Sequence, residues 1–313
     1  MDKEKKFVSF VVYLHNAGKE IEKFLSDILD VADSRFCQYE IICVDDMCTD
    51  DTMDKISGIV SSGNLSSMIS IVHMSYYQGL ESAMNAGRDL AIGDFVFEFD
   101  STYIDYDMSV LDEIYLKLLE GYDIVSASSD GRTKITSKLF YSVFNAFSRV
   151  KMNRIKNESV RIISRRAINR VKAMGLYIPY RKAVYANCGL KTANISYKCI
   201  AGPKKKTKTS ERLSLAFDSF VYFTDFLQKI STFLSVVFLL TTVGIGIYTL
   251  SDIIFKRNTV EGWLSIMGLL SIGFFGIFVL LTVILKYLAT ILNLVFKQQR
   301  YIVSDIEKIT PKE

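Results

Sequence analysis

Three places in this 313-residue chain could do chemistry: Asn16, the pair Asp45-Asp46, and Asp100. Each follows an apolar, β-rich run of strand length, at 7–14, 40–44 and 95–99. In an open α/β sheet, ligands collect outside the carboxyl ends of the strands, so an acid delivered there sits where a ligand binds. Such a carboxylate can accept hydrogen bonds in fixed geometry or hold a cation. The same residue types also have structural uses. A strand-end Asp favours turns, and Asp50-Asp51-Thr52 ahead of a helical pattern is good N-cap chemistry. The two uses are compatible. Glu98 and Asp100 are two apart on a strand and point to the same side, so they could act as an acidic pair, or Glu98 could meet a cation elsewhere.

The elements that must position these residues alternate. After the first strand, an amphipathic helix places Ile21, Phe24, Leu25 and Ile28 on one side. A helix at 52–60 and a strand at 70–74 follow the second strand. Leu80, Ala83, Met84, Gly87, Leu90 and Ala91 then recur at helical spacing, Gly93-Asp94 makes a turn, and the run 95–99 reads as a buried parallel strand. A helix at 111–119 and a strand at 124–128 follow, and the segment 159–163 leads through Arg165-Arg166 into a helix that runs to Met174. This order implies an α/β fold with a mostly parallel sheet and right-handed crossovers.

Composition narrows the function. A net charge of +4 does not argue for nucleic acid. Five cysteines, Cys37, Cys43, Cys48, Cys188 and Cys199, are odd in number and lack framework spacing, which favours reduced thiols in a cytosolic domain. Neither His15 nor His73 stands at zinc-ligand spacing from a cysteine. The run after the basic start MDKEKK is too short for a signal peptide and lacks a small-residue cleavage site.

The stretch 79–107 resembles the central motif of the family 2 glycosyltransferases, with Gly79, Leu80, Ala83, Asn85, Gly87, Ala91, Gly93, Asp94 and Asp100 at matching positions. Asn16, Asp45, Asp46, Thr49 and Asp50 match the family's two earlier strand ends. Met47-Cys48 replaces a Gly-Ser pair, and Thr102 replaces the second acid of Asp-x-Asp. Arg161, Ser164, Arg165 and Arg166 match a segment of the polyprenyl-phosphate branch. There Ser159 stands at the branch's carboxylate position, with Glu158 beside it.

The resemblance implies a GT-A domain over 1–202 that moves a sugar from a UDP- or GDP-linked donor to a polyprenyl phosphate; the alternatives are a family member with a different glycan acceptor, or a catalytically degenerate paralogue acting as a partner in glycan assembly. It implies nucleotide-sugar contacts at Asn16, Asp45, Asp46, Gly79 and Asp100. Asp45 or Asp46 would meet the base, and Asp100 the ribose or a divalent cation, Mg²⁺ or Mn²⁺. Glu158, Arg161 and Arg165 become the expected catalytic residues, and Lys204 and Lys205 the expected contacts to the lipid phosphate. A homo-oligomer is compatible with this reading.

Half of the chain is hydrophobic and mean hydropathy is +0.22, with the excess near the C-terminus. A lysine cluster opens a basic juxtamembrane segment at 203–229 whose second part patterns as an interfacial helix. Uncharged runs at 230–251 and 262–285 are each long enough to cross a bilayer. A further interfacial helix is expected within 286–313, followed by a tail in which Tyr301-Ile302-Val303 resembles the short strand-like segment that ends members of the polyprenyl-phosphate branch. The balance of Lys and Arg flanking the hairpin predicts a multi-pass cell-membrane protein with its catalytic domain and both termini cytoplasmic.

Overall fold

The computed structural model describes residues 3–61, 68–130, 158–173, 181–200, 262–296 and 301–309, with isolated positions between 233 and 254. The chain divides into two compact units, the first made of 1–145, 150–215 and 298–313 and the second of 146–149 and 216–297.

The first unit is built on one eight-stranded sheet. In chain order its elements are β1 (Glu4–Leu14), α1 (Ile21–Arg35), β2 (Phe36–Asp45), α2 (Thr52–Ser61), β3 (Met68–Met74), α3 (Leu80–Leu90), β4 (Phe95–Phe99), α4 (Ser109–Leu119), β5 (Ile124–Ser129), β6 (Glu158–Ser164), α5 (Arg165–Ala173), α6 (Arg181–Asn187) and β7 (Thr192–Tyr197). The sheet order is β7-β5-β6-β4-β1-β2-β3-β8, where β8 is Val303–Ile309. β1 pairs parallel with both β2 and β4, and β2 parallel with β3, so four neighbouring strands deliver their carboxyl ends to one edge. β6 runs antiparallel between β4 and β5. β8 caps the far edge antiparallel to β3, which brings the tail of the chain into the sheet and covers an edge that would otherwise be open to pairing.

Side-chain alternation divides β4 between two environments. Phe97 and Phe99 enter the main core, where Phe10 stacks on Phe97 with centroids 5.0 Å apart and Phe24 meets Phe99 edge to face. The α1 stripe packs there too: Ile21, Phe24, Leu25, Ile28 and Ala32 are all buried, as the periodicity predicts. Glu98 and Asp100 point to the opposite face, which α3 covers. Gly87 of α3 permits that packing, since a Cβ built there would lie 2.5 Å from Val11 Cγ1 and 2.5 Å from Val44 Cγ2.

In the second unit the helix α7 covers Gly262–Phe296. The expected hairpin and the localisation drawn from it are corrected. Among the described residues no helix is long and apolar enough to cross a membrane, and the run 230–251 lies mostly outside those residues. The division expected at 285 is also absent. No Gly or Pro stands between Leu285 and Phe296, so nothing interrupts the backbone ladder, and α7 continues through Lys286 and Tyr287. Apolar run length reports residue type and not where a helix begins and ends. The basic and interfacial segment 203–229 lies outside the described residues, as do Lys204 and Lys205.

Candidate active site

The loops at the shared edge are stitched together by the residues that the sequence singles out. Asn16 takes a left-handed backbone conformation (φ 53°) after β1, and its Oδ1 accepts from Thr49 N at 2.8 Å. Asp45 ends β2. Its Oδ1 accepts from Cys48 N at 2.8 Å, and its Oδ2 lies 2.9 Å from His73 Nδ1. Asp46 is fully buried and accepts from Gln78 N at 2.8 Å, Gly79 N at 2.9 Å and the Tyr13 hydroxyl at 3.0 Å. It therefore fixes the entry to α3, where Gly79 has φ 82°. Burial and the adjacent Asp46 carboxylate push the Tyr13 hydroxyl well above its ordinary value, so it stays a donor to that carboxylate. Met47 also sits in the left-handed region (φ 57°), the conformation that explains why the family pattern carries glycine at this position. On the outer side of this edge the rings of His15 and Tyr77 lie 4.7 Å apart.

Asp100, just past β4, belongs to a buried ionic network. Register places Arg161 of β6 directly opposite Glu98. Its guanidinium forks, donating from Nη1 to Glu98 Oε2 and from Nη2 to Asp100 Oδ2, each at 2.9 Å. Glu158 Oε2 lies 3.3 Å from its Nε. A second guanidinium arrives from α6. Arg181 donates from Nε to Glu81 Oε2 at 2.9 Å, from Nη1 to Glu98 Oε2 at 2.8 Å and from Nη2 to Asp100 Oδ1 at 2.7 Å. Lys182 Nζ is 3.7 Å from Asp100 Oδ2 and donates to the Glu158 carbonyl at 3.1 Å. Tyr185 donates to Glu98 Oε1 at 2.8 Å and accepts from Arg88 Nη1 at 3.0 Å.

The electrostatics follow from this arrangement. Burial by itself would raise the Asp100 carboxyl, but Arg161, Arg181 and Lys182 outweigh it and hold the group well below the usual carboxylate range. Burial likewise works against the charge on Arg161, and Asp100, Glu98 and Glu158 reverse that effect. The network is close to neutral as a whole, the condition under which buried charges are tolerated.

Of the expected catalytic residues, Glu158 and Arg161 come together with Asp100. Arg165 does not. It follows the end of antiparallel β6, beside the start of β4, where its guanidinium binds the carbonyls of Ala91 at 2.8 Å and Gly93 at 2.6 Å. A whole strand length separates it from Asp100. Ser159 Oγ lies 2.5 Å from the Tyr197 hydroxyl, which donates to Asp105 at 2.7 Å. Sequence reasoning missed Glu81, Arg181, Lys182 and Tyr185. The only local signal was the Arg181-Lys182 and Tyr185 spacing on one helical turn.

The divalent cation implied by the family pattern fits these residues poorly. Both Asp100 oxygens already accept from guanidiniums, Thr102 supplies no charge, and among the described residues no group of three or more His, Cys, Asp or Glu side chains could hold a metal ion.

The parallel strand ends, the helix-flanked sheet and the acid after β4 define a nucleotide-sugar transferase of the GT-A type. The chain belongs to glycosyl transferase family 2, whose sequence pattern matches residues 9–175. It is a glycosyltransferase with a nucleotide-sugar donor. An uncharacterized glycosyltransferase of Synechocystis is 27% identical over 309 residues, covering 96% of this chain and 95% of that protein. A prophage bactoprenol glucosyl transferase homolog of Escherichia coli is 28% identical over 280 residues, covering 86% and 88%. In fold the chain is similar to glucosyl-3-phosphoglycerate synthase of Mycobacterium tuberculosis, solved with Mn²⁺, UDP and glucosyl-3-phosphoglycerate. There the TM-score is 0.52 at 18% identity, over 69% of this chain and 78% of that one.

Proposed function

We propose that this glycosyltransferase moves a sugar from a UDP- or GDP-linked donor to a polyprenyl phosphate. The observation that carries the reading is the Asp100 cluster, a carboxylate at the end of β4 set among Arg161, Arg181 and Lys182 on the edge it shares with Asn16 and Asp45. The near full-length similarity to a bactoprenol glucosyl transferase homolog supports the lipid-phosphate acceptor.

In this reading the loops tied by Asn16, Asp45, Asp46 and Gly79 receive the nucleoside, and the reacting sugar lies toward Asp100, Glu158 and Arg161. An acceptor phosphate oxygen attacks the sugar C1. The bond from C1 to the diphosphate oxygen breaks, its electron pair leaves with the nucleoside diphosphate, and C1 inverts. The attacking oxygen is already anionic, so no proton has to move, and Ser159 at the branch's carboxylate position does not impede the step. Positioning and charge stabilisation then carry the rate.

The test is transfer of radiolabel from UDP- and GDP-sugars to detergent-dispersed polyprenyl phosphate, followed by organic extraction. Label in the lipid phase is expected. Label found only on water-soluble acceptors would overturn the proposed acceptor.

A further inference from the structure

The place where the family pattern calls for a metal ion is filled by side-chain cations. A divalent ion at Asp100 would have to strip off the Arg161 and Arg181 hydrogen bonds and then sit beside three positive charges. Thr102 offers nothing to offset that repulsion. We propose that Lys182 binds the donor diphosphate directly while Arg161 and Arg181 neutralise Glu98 and Asp100 beneath it, so that donor binding requires no divalent cation. This inference rests on the nucleotide-sugar reading of the site.

The three cations differ in what they can still do. The Arg161 and Arg181 side chains are 1% and 0% exposed; their hydrogen bonds go to Glu81, Glu98 and Asp100, and Arg161 Nε is buried 3.3 Å from Glu158 without a hydrogen bond among the described residues. They have little left for a ligand. Their contribution is to cancel acids whose charge would otherwise repel a diphosphate. Lys182, Asp100 and Glu158 are 11%, 14% and 17% exposed, so the network meets solvent at these three side chains, of which Lys182 alone is a cation. The Lys182 ammonium gives one hydrogen bond to the Glu158 carbonyl, and an ammonium has three donors, which leaves donors for phosphate oxygens. Guanidiniums fixed by buried carboxylates also need no reorganisation as charge develops on the leaving diphosphate.

Calorimetric titration of the full-length protein with UDP and with GDP, in excess EDTA and in Mn²⁺, tests this. At least one nucleotide should bind with closely similar affinity in both buffers. Binding seen only with Mn²⁺ would overturn the inference and leave the nucleotide-sugar reading standing. Binding of neither nucleotide in either buffer would overturn both. Lys182→Gln, a change at the rim that leaves both buried arginines paired, should weaken UDP or GDP binding in EDTA by about tenfold or more. The same variant should leave the affinity for the bare nucleoside unchanged, and Lys182→Arg should recover most of the loss. An undiminished affinity of Lys182→Gln for the nucleoside diphosphate, or an equal loss for the nucleoside, would remove Lys182 from the role.

Discussion

Arg181 and Asp100 stand 81 residues apart in the chain and 2.7 Å apart in the fold, Nη2 to Oδ1. The same guanidinium holds Glu98 and Glu81, so one side chain ties α6 to α3 and β4. The candidate site is thereby built on a buried charge network.

Arg181→Met should be strongly destabilising. It leaves Glu81, Glu98 and Asp100 short of a buried counter-charge, a loss of about 3–5 kcal/mol. Urea unfolding measures it. Arg181→Lys should restore only part, because an ammonium cannot fork between carboxylates as a guanidinium does. A loss in the methionine variant no larger than that of an ordinary surface substitution would contradict the network.

Acid stability should carry the signature of Asp100. An unfolded Asp titrates at about 3.9, and the folded group lies below its ordinary value because Arg161, Arg181 and Lys182 overcome the effect of burial. The unfolded chain therefore binds the proton first. The stabilisation is present above about pH 4 and is lost as pH falls below that value. Denaturation curves collected over a pH series should show a shallower acid limb in Asp100→Asn than in the unaltered protein, together with lower stability at neutral pH.

Tyr185→Phe isolates one polar atom. The hydroxyl accepts from Arg88 Nη1 and donates to Glu98 Oε1, and Arg88 is fully buried with no hydrogen-bond partner at Nε or Nη2 among the described residues. Removing the hydroxyl leaves a buried cation with still fewer acceptors, at about 1–3 kcal/mol. Equilibrium unfolding of the variant reads this directly, and an unchanged midpoint would show that Arg88 finds another acceptor.

Two glycines should respond in opposite ways to alanine. Gly87→Ala forces a methyl against Val11 and Val44, where α3 meets the sheet, and should destabilise by about 1–3 kcal/mol. Gly58 in α2 has nothing within 4 Å of an added Cβ, so Gly58→Ala should be neutral or stabilise by up to about 1 kcal/mol. Paired thermal melts of the two variants make the comparison.

Much of the fold was legible in the sequence. The runs ahead of Asn16, Asp45 and Asp100 are strands β1, β2 and β4, and the Ile21, Phe24, Leu25, Ile28 stripe is buried, because periodicity directly reports which side of an element must leave water. The same period of two placed Glu98 beside Asp100. The charges opposite that pair were another matter. Arg161 reaches Glu98 because antiparallel pairing sets β6 in that register, and Arg181 reaches it from a seven-residue helix with no pattern of its own. The tail has a strand-like ending in the sequence, but only the fold shows that it supplies β8 on the far side of β3.

Sequence alone determined where the strands end and which acids they carry there, since a strand's alternation is local and is written in successive residues. Tertiary structure alone decided that Asp100 faces two guanidiniums and an ammonium. A charge pair is set by register and packing between segments distant in the chain, and no spacing along the chain encodes what will stand opposite.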